Sequence, residues 1–319
     1  MLRDEPVGDN AQGVEMNKNG LGSIGVIGIG HIGIHYVRHL VKAGAHVFVA
    51  DALEKRVVEA VSCGAIAANS TADLAGRVDK IILALPEPTV VRAVLSGEQG
   101  VFASARPRTL IIDASTGDPD TARAMYAEAK SCRLDYIETP ISGGEPGEGG
   151  TAGARAASVT FMVGGDRDAF ERARPILNVL GSHSLYLGPS GTGSTVKLLS
   201  NHVAGLVNLV ASETCALGAA AGLGFETLLD VFSRTDANTY MMLQYAADRV
   251  RTGDFEAGFS VDLMHKDHRL AGELADQLGV PMPLNTLALK LYQRIRDQGL
   301  GHRDVTQSYP SYVSMTSES

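Results

Sequence analysis

Short apolar, β-branched runs alternate along the chain with segments whose apolar positions recur every three or four residues. Ile24 to Ile27 is the first β-rich run. Ile32 to Ala43 follows, with Ile34, Val37, Leu40 and Val41 on one helical face. His46 to Ala50 reads as a second strand and Leu53 to Ser62 as the next helix. Lys80 to Leu85 and Thr109 to Asp113 are further strands, with helical stretches starting at Thr89 and Pro119. Leu134 to Thr139, Val159 to Val163 and Ser184 to Leu187 complete the set. Such alternation predicts a largely parallel sheet covered by helices. The Lys80–Leu85 run, apolar almost throughout, predicts a strand buried on both faces.

The pattern changes at Gly188. Beyond Gly193 the chain is rich in Ala, Leu and Val, has no convincing strand, and has no proline before Pro281. One long helix from about Ser194 to Ala221 and three or four more are expected. The layout is therefore an α/β domain with a parallel sheet over residues 21–188, then an all-α domain over residues 189–319. The crevice between them is the expected site. Residues 1–20 are polar and mixed in charge and read as a flexible extension, with Met16 a second candidate start.

Composition narrows the function classes. Of 319 residues, 45% are hydrophobic and 20% charged, as in an ordinary globular protein. Aromatics supply only 5% and Trp is absent, so the core must rest on Ala, Val, Leu, Ile and Gly. With 28 basic against 36 acidic side chains, the net charge of −8 argues against nucleic acid and anionic membranes as partners. Cys63, Cys132 and Cys215 form no CxxC pair, hence neither a disulfide framework nor a zinc site, and suit reduced thiols in the cytoplasm. No apolar run is expected to approach the ~18–20 residues that span a bilayer. The first residues lack the apolar core of a secretion signal.

Gly28-Ile29-Gly30-His31-Ile32-Gly33 is a G-x-G-x-x-G turn between a strand and a helix, the dinucleotide fingerprint of a Rossmann-type domain. Gly28 permits the tight turn, Gly30 lets backbone approach a pyrophosphate, and Gly33 allows helix–strand packing. The helix N-terminus, entered through His31 and Ile32, offers free N–H groups to phosphates. Asp51 ends the second strand 18 positions after Gly33, where its carboxylate would bind ribose hydroxyls and repel a 2′-phosphate. NAD is the expected cofactor and NADP the alternative, Arg56 being near enough in sequence to swing in. His31, His35 and His39 align on the first helix, but no carboxylate or thiol completes a metal set, and no metal is expected.

Further motifs carry a family resemblance. Leu83-Ala84-Leu85-Pro86 and Asp113-Ala114-Ser115-Thr116 end two strands, and Pro140-Ile141-Ser142-Gly143-Gly144 follows a third. Gly188-Pro-Ser-Gly191-Thr-Gly193-Ser-Thr-Val-Lys197-Leu-Leu-Ser-Asn201 opens the long helix, and Lys266-Asp267 lies in GFSVDLMHKDHRLA. In this order and spacing the chain resembles the β-hydroxyacid dehydrogenases, the family of 3-hydroxyisobutyrate dehydrogenase and tartronate semialdehyde reductase. The resemblance implies hydride transfer between a nicotinamide and a small β-hydroxy acid. It implies Lys197 as the proton-transfer residue and Asn201 as its substrate-orienting partner, four positions on and on the same helical face. By the same match, Ser142, Gly143 and Gly144 bind the substrate carboxylate. Leu85, Pro86 and Thr116 line the nicotinamide ribose, and Lys266 contacts the cofactor or closes the cleft. His265 and His268 flank Lys266 as candidate cleft residues. A homodimer or homotetramer through the helical domain is implied as well.

The chain departs from the family pattern in places. Glu145 to Ala152 adds about six residues beside the substrate loop, either a surface excursion or a reshaped substrate entrance where Glu145 and Glu148 would bind a cationic group, and Ala157 replaces an expected glycine. Ser200 stands where 6-phosphogluconate dehydrogenases carry histidine, which argues against oxidative decarboxylation of a phosphosugar acid. Lys197 argues against the imine reductases of this fold. An NADPH-dependent semialdehyde or imine reductase and a non-catalytic dinucleotide-binding module are the alternative readings.

Overall fold

The computed structural model describes residues 21–143, 149–239 and 246–317. The expected extension over residues 1–20, Gly144, and residues 145–148 of the long loop with Glu145 and Glu148 lie outside them. The strands are β1 (Ser23–Ile27), β2 (His46–Ala50), β3 (Ile66–Ala67), β4 (Lys80–Leu83), β5 (Leu110–Asp113), β6 (Asp135–Glu138), β7 (Ile141–Ser142), β8 (Val159–Gly165) and β9 (Gly181–Gly188). Helices of the first half are α1 (Gly33–Lys42), α2 (Glu54–Ser62), α3 (Thr71–Arg77), α4 (Pro88–Ser96), α5 (Val101–Ser104), α6 (Pro119–Ser131), α7 (Gly149–Ala156) and α8 (Arg167–Leu180). Then come α9 (Thr192–Ala220), α10 (Phe225–Ser233), α11 (Ala247–Thr252), α12 (Val261–Leu278), α13 (Pro283–Asp297) and α14 (Ser308–Ser317).

The sheet runs β3-β2-β1-β4-β5-β6-β8-β7, with β9 beside β8. The first six strands are parallel, in the order of a Rossmann fold, and β8 joins β6 antiparallel. Side-chain alternation divides one short strand between two cores. Ile81 and Leu83 pack with Leu74, Leu95 and Met125 on one face, while Ile82 joins Tyr36, Leu40 and Phe170 on the other. Helices cover both faces, which is why β4 and β5 read as continuous apolar runs.

Three features differ from the sequence pattern or go beyond it. Among the described residues, five α-helices follow α9 rather than three or four. Residues 149–156 are helical, although Gly149, Gly150 and Gly153 are poor helix formers. Tertiary contact overrides propensity there: His39 Nε2 on α1 lies 3.0 Å from Ala154 O and 3.1 Å from Arg155 O at the end of α7. The third concerns α9, which is long and apolar enough by composition to cross a membrane, contrary to the expectation that no segment approaches this. It is the packing centre of the helical half, against α12, α13 and α14, and it buries Lys197, Asn201, Asn208 and Ser212.

Candidate active site

The three fingerprint glycines sit in different surroundings. Gly28 has φ +91°, and a Cβ on it would lie 2.4 Å from Ala84 O; one on Gly33 would lie 1.9 Å from Gly28 O. A Cβ on Gly30 would meet nothing nearer than Arg56 Nη1 at 3.8 Å. Gly28 and Gly33 are thus required by the turn itself, and Gly30 alone leaves its backbone open to a ligand, as a pyrophosphate needs. His31 is exposed and Ile32 half-buried at the entry to α1. Asp51 accepts from Ile29 N at 2.6 Å through Oδ2 and from Leu53 N at 2.8 Å through Oδ1. It ties the glycine turn to the end of β2 and keeps further lone pairs for ribose hydroxyls. Arg56 Nη1 lies 3.6 Å from the same carboxylate. These residues fit a dinucleotide.

The ends of β4 and β5 form the next edge. Leu85 N donates to Ser115 Oγ at 3.0 Å, and Ser115 N to Asp113 Oδ1 at 3.0 Å. Tyr136 Oη donates to Asp113 Oδ2 at 2.8 Å. Burial pushes the Asp113 carboxyl above its ordinary range, opposed by these bonds. Lys266, on α12, reaches across from the helical half: its Nζ donates to Thr116 O at 2.8 Å and Pro86 O at 3.4 Å. The structure therefore brings Pro86, Thr116 and Lys266 together where α12 meets the ends of β4 and β5.

Lys197 and Asn201 share one face of α9, as their spacing predicts. Lys197 is 6% exposed, and its Nζ donates to Asn201 Oδ1 at 2.8 Å. Asn201 Nδ2 donates in turn to Asp267 Oδ2 at 2.5 Å, and Asp267 Oδ1 lies 3.2 Å from Lys266 Nζ. Desolvation lowers the Lys197 ammonium to a pKa of about 8; Asp267 opposes this and Lys266 reinforces it. The result is an amine that changes protonation near neutral pH, held by an amide whose orientation a carboxylate fixes. Asp267 is the member that sequence reasoning gave no role. Its signal was its place beside Lys266, but only the packing of α12 on α9 reveals its target.

Ser142 pairs with Thr160 in the β7–β8 ladder. Gly143 backs onto α7, where a Cβ would meet Gly149 N at 2.8 Å. This loop therefore lies beside α7. Thr151 Oγ1 of α7 donates to Gly258 O at 3.1 Å, linking the substrate-loop side to the helical half just before α12. The expectation for His265 and His268 fails. His268 is fully buried with Nδ1 2.7 Å from Asn285 Oδ1 on α13, and His265 Nδ1 lies 3.3 Å from Arg296 Nη1. On a helix they are rotated off the face that carries Lys266 to the cleft.

Comparison with known proteins agrees with this geometry. Residues 23–188 match the NAD-binding domain of 6-phosphogluconate dehydrogenase, and residues 191–312 the NAD-binding domain of NADP-dependent 3-hydroxyisobutyrate dehydrogenase. The chain is 32% identical to 2-(hydroxymethyl)glutarate dehydrogenase of Eubacterium barkeri, over 92% of this chain and 95% of that protein. It is 34% identical to NAD-dependent L-serine dehydrogenase of Pseudomonas aeruginosa, over 88% of this chain and 94% of the relative. The structure of Mycobacterium tuberculosis 3-hydroxyisobutyrate dehydrogenase with L-serine superposes with a TM-score of 0.80 at 28% identity, covering 91% of this chain and 98% of its own. The glycine turn that opens at Gly30, the cleft bridged by Lys266 and these matches over nearly the whole length make the chain a member of the NAD(P)-dependent β-hydroxyacid dehydrogenase family, and hence an oxidoreductase.

Proposed function

We propose that the protein oxidises the primary alcohol of a small 2-substituted 3-hydroxypropanoate to the semialdehyde, reversibly, with Lys197 moving the hydroxyl proton. One observation carries the reading: a buried amine with a pKa of about 8, hydrogen-bonded to an oriented amide, at the edge of a dinucleotide cleft. The nicotinamide, when bound, supplies the hydride acceptor. Lys197 Nζ in its neutral form takes the proton as the alcohol is oxidised and returns it when the carbonyl is reduced. Asn201 holds Nζ through Oδ1, and Asp267 keeps that oxygen turned to the lysine. Ser142 and the following glycines are proposed to take the substrate carboxylate. 2-(Hydroxymethyl)glutarate, serine and 3-hydroxyisobutyrate, named by the relatives, share a hydroxymethyl group on the carbon bearing a carboxylate, which supports this substrate class.

We place the domain boundary near Gly188, with residues 21–188 binding the dinucleotide and residues 189–319 supplying the lysine and the oligomer contact. Val196, Val203, Val210 and Leu217, exposed at seven-residue intervals along α9, support self-association through that helix. NAD is the proposed cofactor because of Asp51. Arg56 beside it favours some use of NADP, the second reading. The test is NADH formation from NAD with a panel of such hydroxy acids. The expected result is turnover of at least one member and its loss by several orders of magnitude in Lys197→Ala, with NAD affinity nearly unchanged. Undiminished turnover in that variant removes Lys197 from the mechanism.

A further inference from the structure

One buried carboxylate seats the turn of α9 that leads to Lys197, yet it has no part in the proton transfer. We infer that Glu138 is a positioning residue, holding Lys197 in the cleft through the first turn of α9; this rests on Lys197 being the proton-transfer group. Glu138 ends β6 and is 2% exposed. Its Oε1 accepts from Gly191 N at 2.5 Å and Gly193 N at 3.2 Å, and its Oε2 from Ser190 Oγ at 3.0 Å. Three donors around the start of α9 thus converge on one side chain of the sheet, where negative charge is favoured by the free N–H groups of the helix.

The seat is closed from the other side as well. A Cβ on Gly164 of β8 would lie 2.1 Å from Glu138 Oε1, and one on Gly193 would lie 2.4 Å from Met162 O. Gly191, the residue before α9, has φ +95°, a left-handed conformation that aims its N–H at the carboxylate. The helix start can neither sink into the sheet nor slide along it while these contacts hold. Lys197 follows Gly193 by four residues, one turn further on the same helix. Burial is what keeps the Lys197 amine near neutrality, so loosening the seat would let water reach it and raise its pKa towards 10.5.

A cap with a purely structural role would alter stability and leave the lysine's titration alone, and that difference gives the test. The variants are Glu138→Ala, which empties the seat, and Gly164→Ala, which pushes the carboxylate off it. Glu138→Gln should keep Oε1 as acceptor and turn Nε2 to Ser190. Glu138 is not among the charges acting on Lys197, so loss of its charge alone should not move the titration. The readouts are the pH dependence of kcat/KM for the hydroxy acid, melting temperature, and NAD affinity. The expected result is an inflection near 8 in the wild type and Glu138→Gln. In Glu138→Ala and Gly164→Ala it should lie higher by about 0.5 unit or more, with kcat reduced roughly tenfold and NAD affinity little changed. Gly164→Ala carries the test if Glu138→Ala does not fold. An unmoved inflection in the folded variants despite a lowered melting temperature overturns the inference. So does an equal shift in Glu138→Gln, because the effect would then follow charge and not the seat. Lys197→Ala separates the two failures: if it keeps full turnover, the underlying reading falls whatever the Glu138 variants do.

Discussion

A lysine kept near neutrality by burial should destabilise the fold at neutral pH, and Lys197→Met should relieve that cost. In the folded chain the group has a pKa of about 8, against 10.5 for an unburied lysine. The folded value is the lower one, so the cost is fully present below pH 8 and fades as pH rises from 8 towards 10.5. That difference corresponds to roughly 3 kcal/mol. Methionine is apolar and of similar length, but it leaves Asn201 Oδ1 without its donor, a loss of about 1 kcal/mol. The variant should therefore be more stable than the wild type by about 2 kcal/mol at pH 7. At pH 10 the residual cost of the lysine is only about 1 kcal/mol, so the two proteins should then be nearly equal. Urea unfolding of both at pH 7 and pH 10, with fitted slopes compared, measures this. A variant less stable at pH 7, or one whose advantage is the same at pH 10, would refute the argument that burial sets the lysine's state.

Four further outcomes follow from named contacts. Asp267→Asn removes the charge that raises the Lys197 pKa and weakens the grip on Asn201, so the pH–rate inflection should fall below 8 and kcat/KM should drop roughly 10–100-fold; an upward shift would contradict the network. Ala157, with φ +55°, sits just after α7, so Ala157→Gly should relieve about 1–2 kcal/mol of left-handed strain against about 0.5–1 kcal/mol of glycine entropy. The urea midpoint should rise slightly, and a fall would refute it. Burial lowers the pKa of His35, His202, His265 and His268, so below about 6.5 the unfolded chain binds more protons than the folded one. Stability should accordingly decline from pH 7 to pH 5, and a flat profile would speak against the lowered histidine values. Arg56→Ala should lower kcat/KM for NADPH about tenfold and leave that for NADH nearly unchanged; parallel losses would place Arg56 outside cofactor choice.

Local pattern made much of this legible. β2 is legible to the residue, because Val47, Phe48 and Val49 form a β-branched and aromatic run between Gly44 and Asp51. The glycine turn, Asp51 and the Lys197–Asn201 pair were readable because each lies within one strand–turn–helix unit or one helical turn. Elements hidden from sequence reasoning are those that neighbours impose. α7 is glycine-rich and holds its shape through His39 and Thr151, and β7 is two residues long and exists only as an edge to β8. α8 carries Pro175 in its interior, which disguises an otherwise amphipathic helix.

Distance along the chain separates the parts of the site that carry a local pattern from those that do not. Lys197 and Asn201 announce themselves by spacing, but the buried carboxylates that hold Asn201 and the start of α9 come from far along the chain. Asp267 is 66 residues beyond Asn201, and Glu138 is 53 residues before Gly191. Neither has a local pattern that marks it, since an acid at a strand end or beside a lysine is ordinarily solvated. What distinguishes them is burial with donors already aimed at them, from Asn201 in one case and from the start of α9 in the other. A charged group stays in such a place only when its partners are fixed. The buried amine can be read from one helix; its pKa is set by desolvation and by Asp267 and Lys266, both on α12.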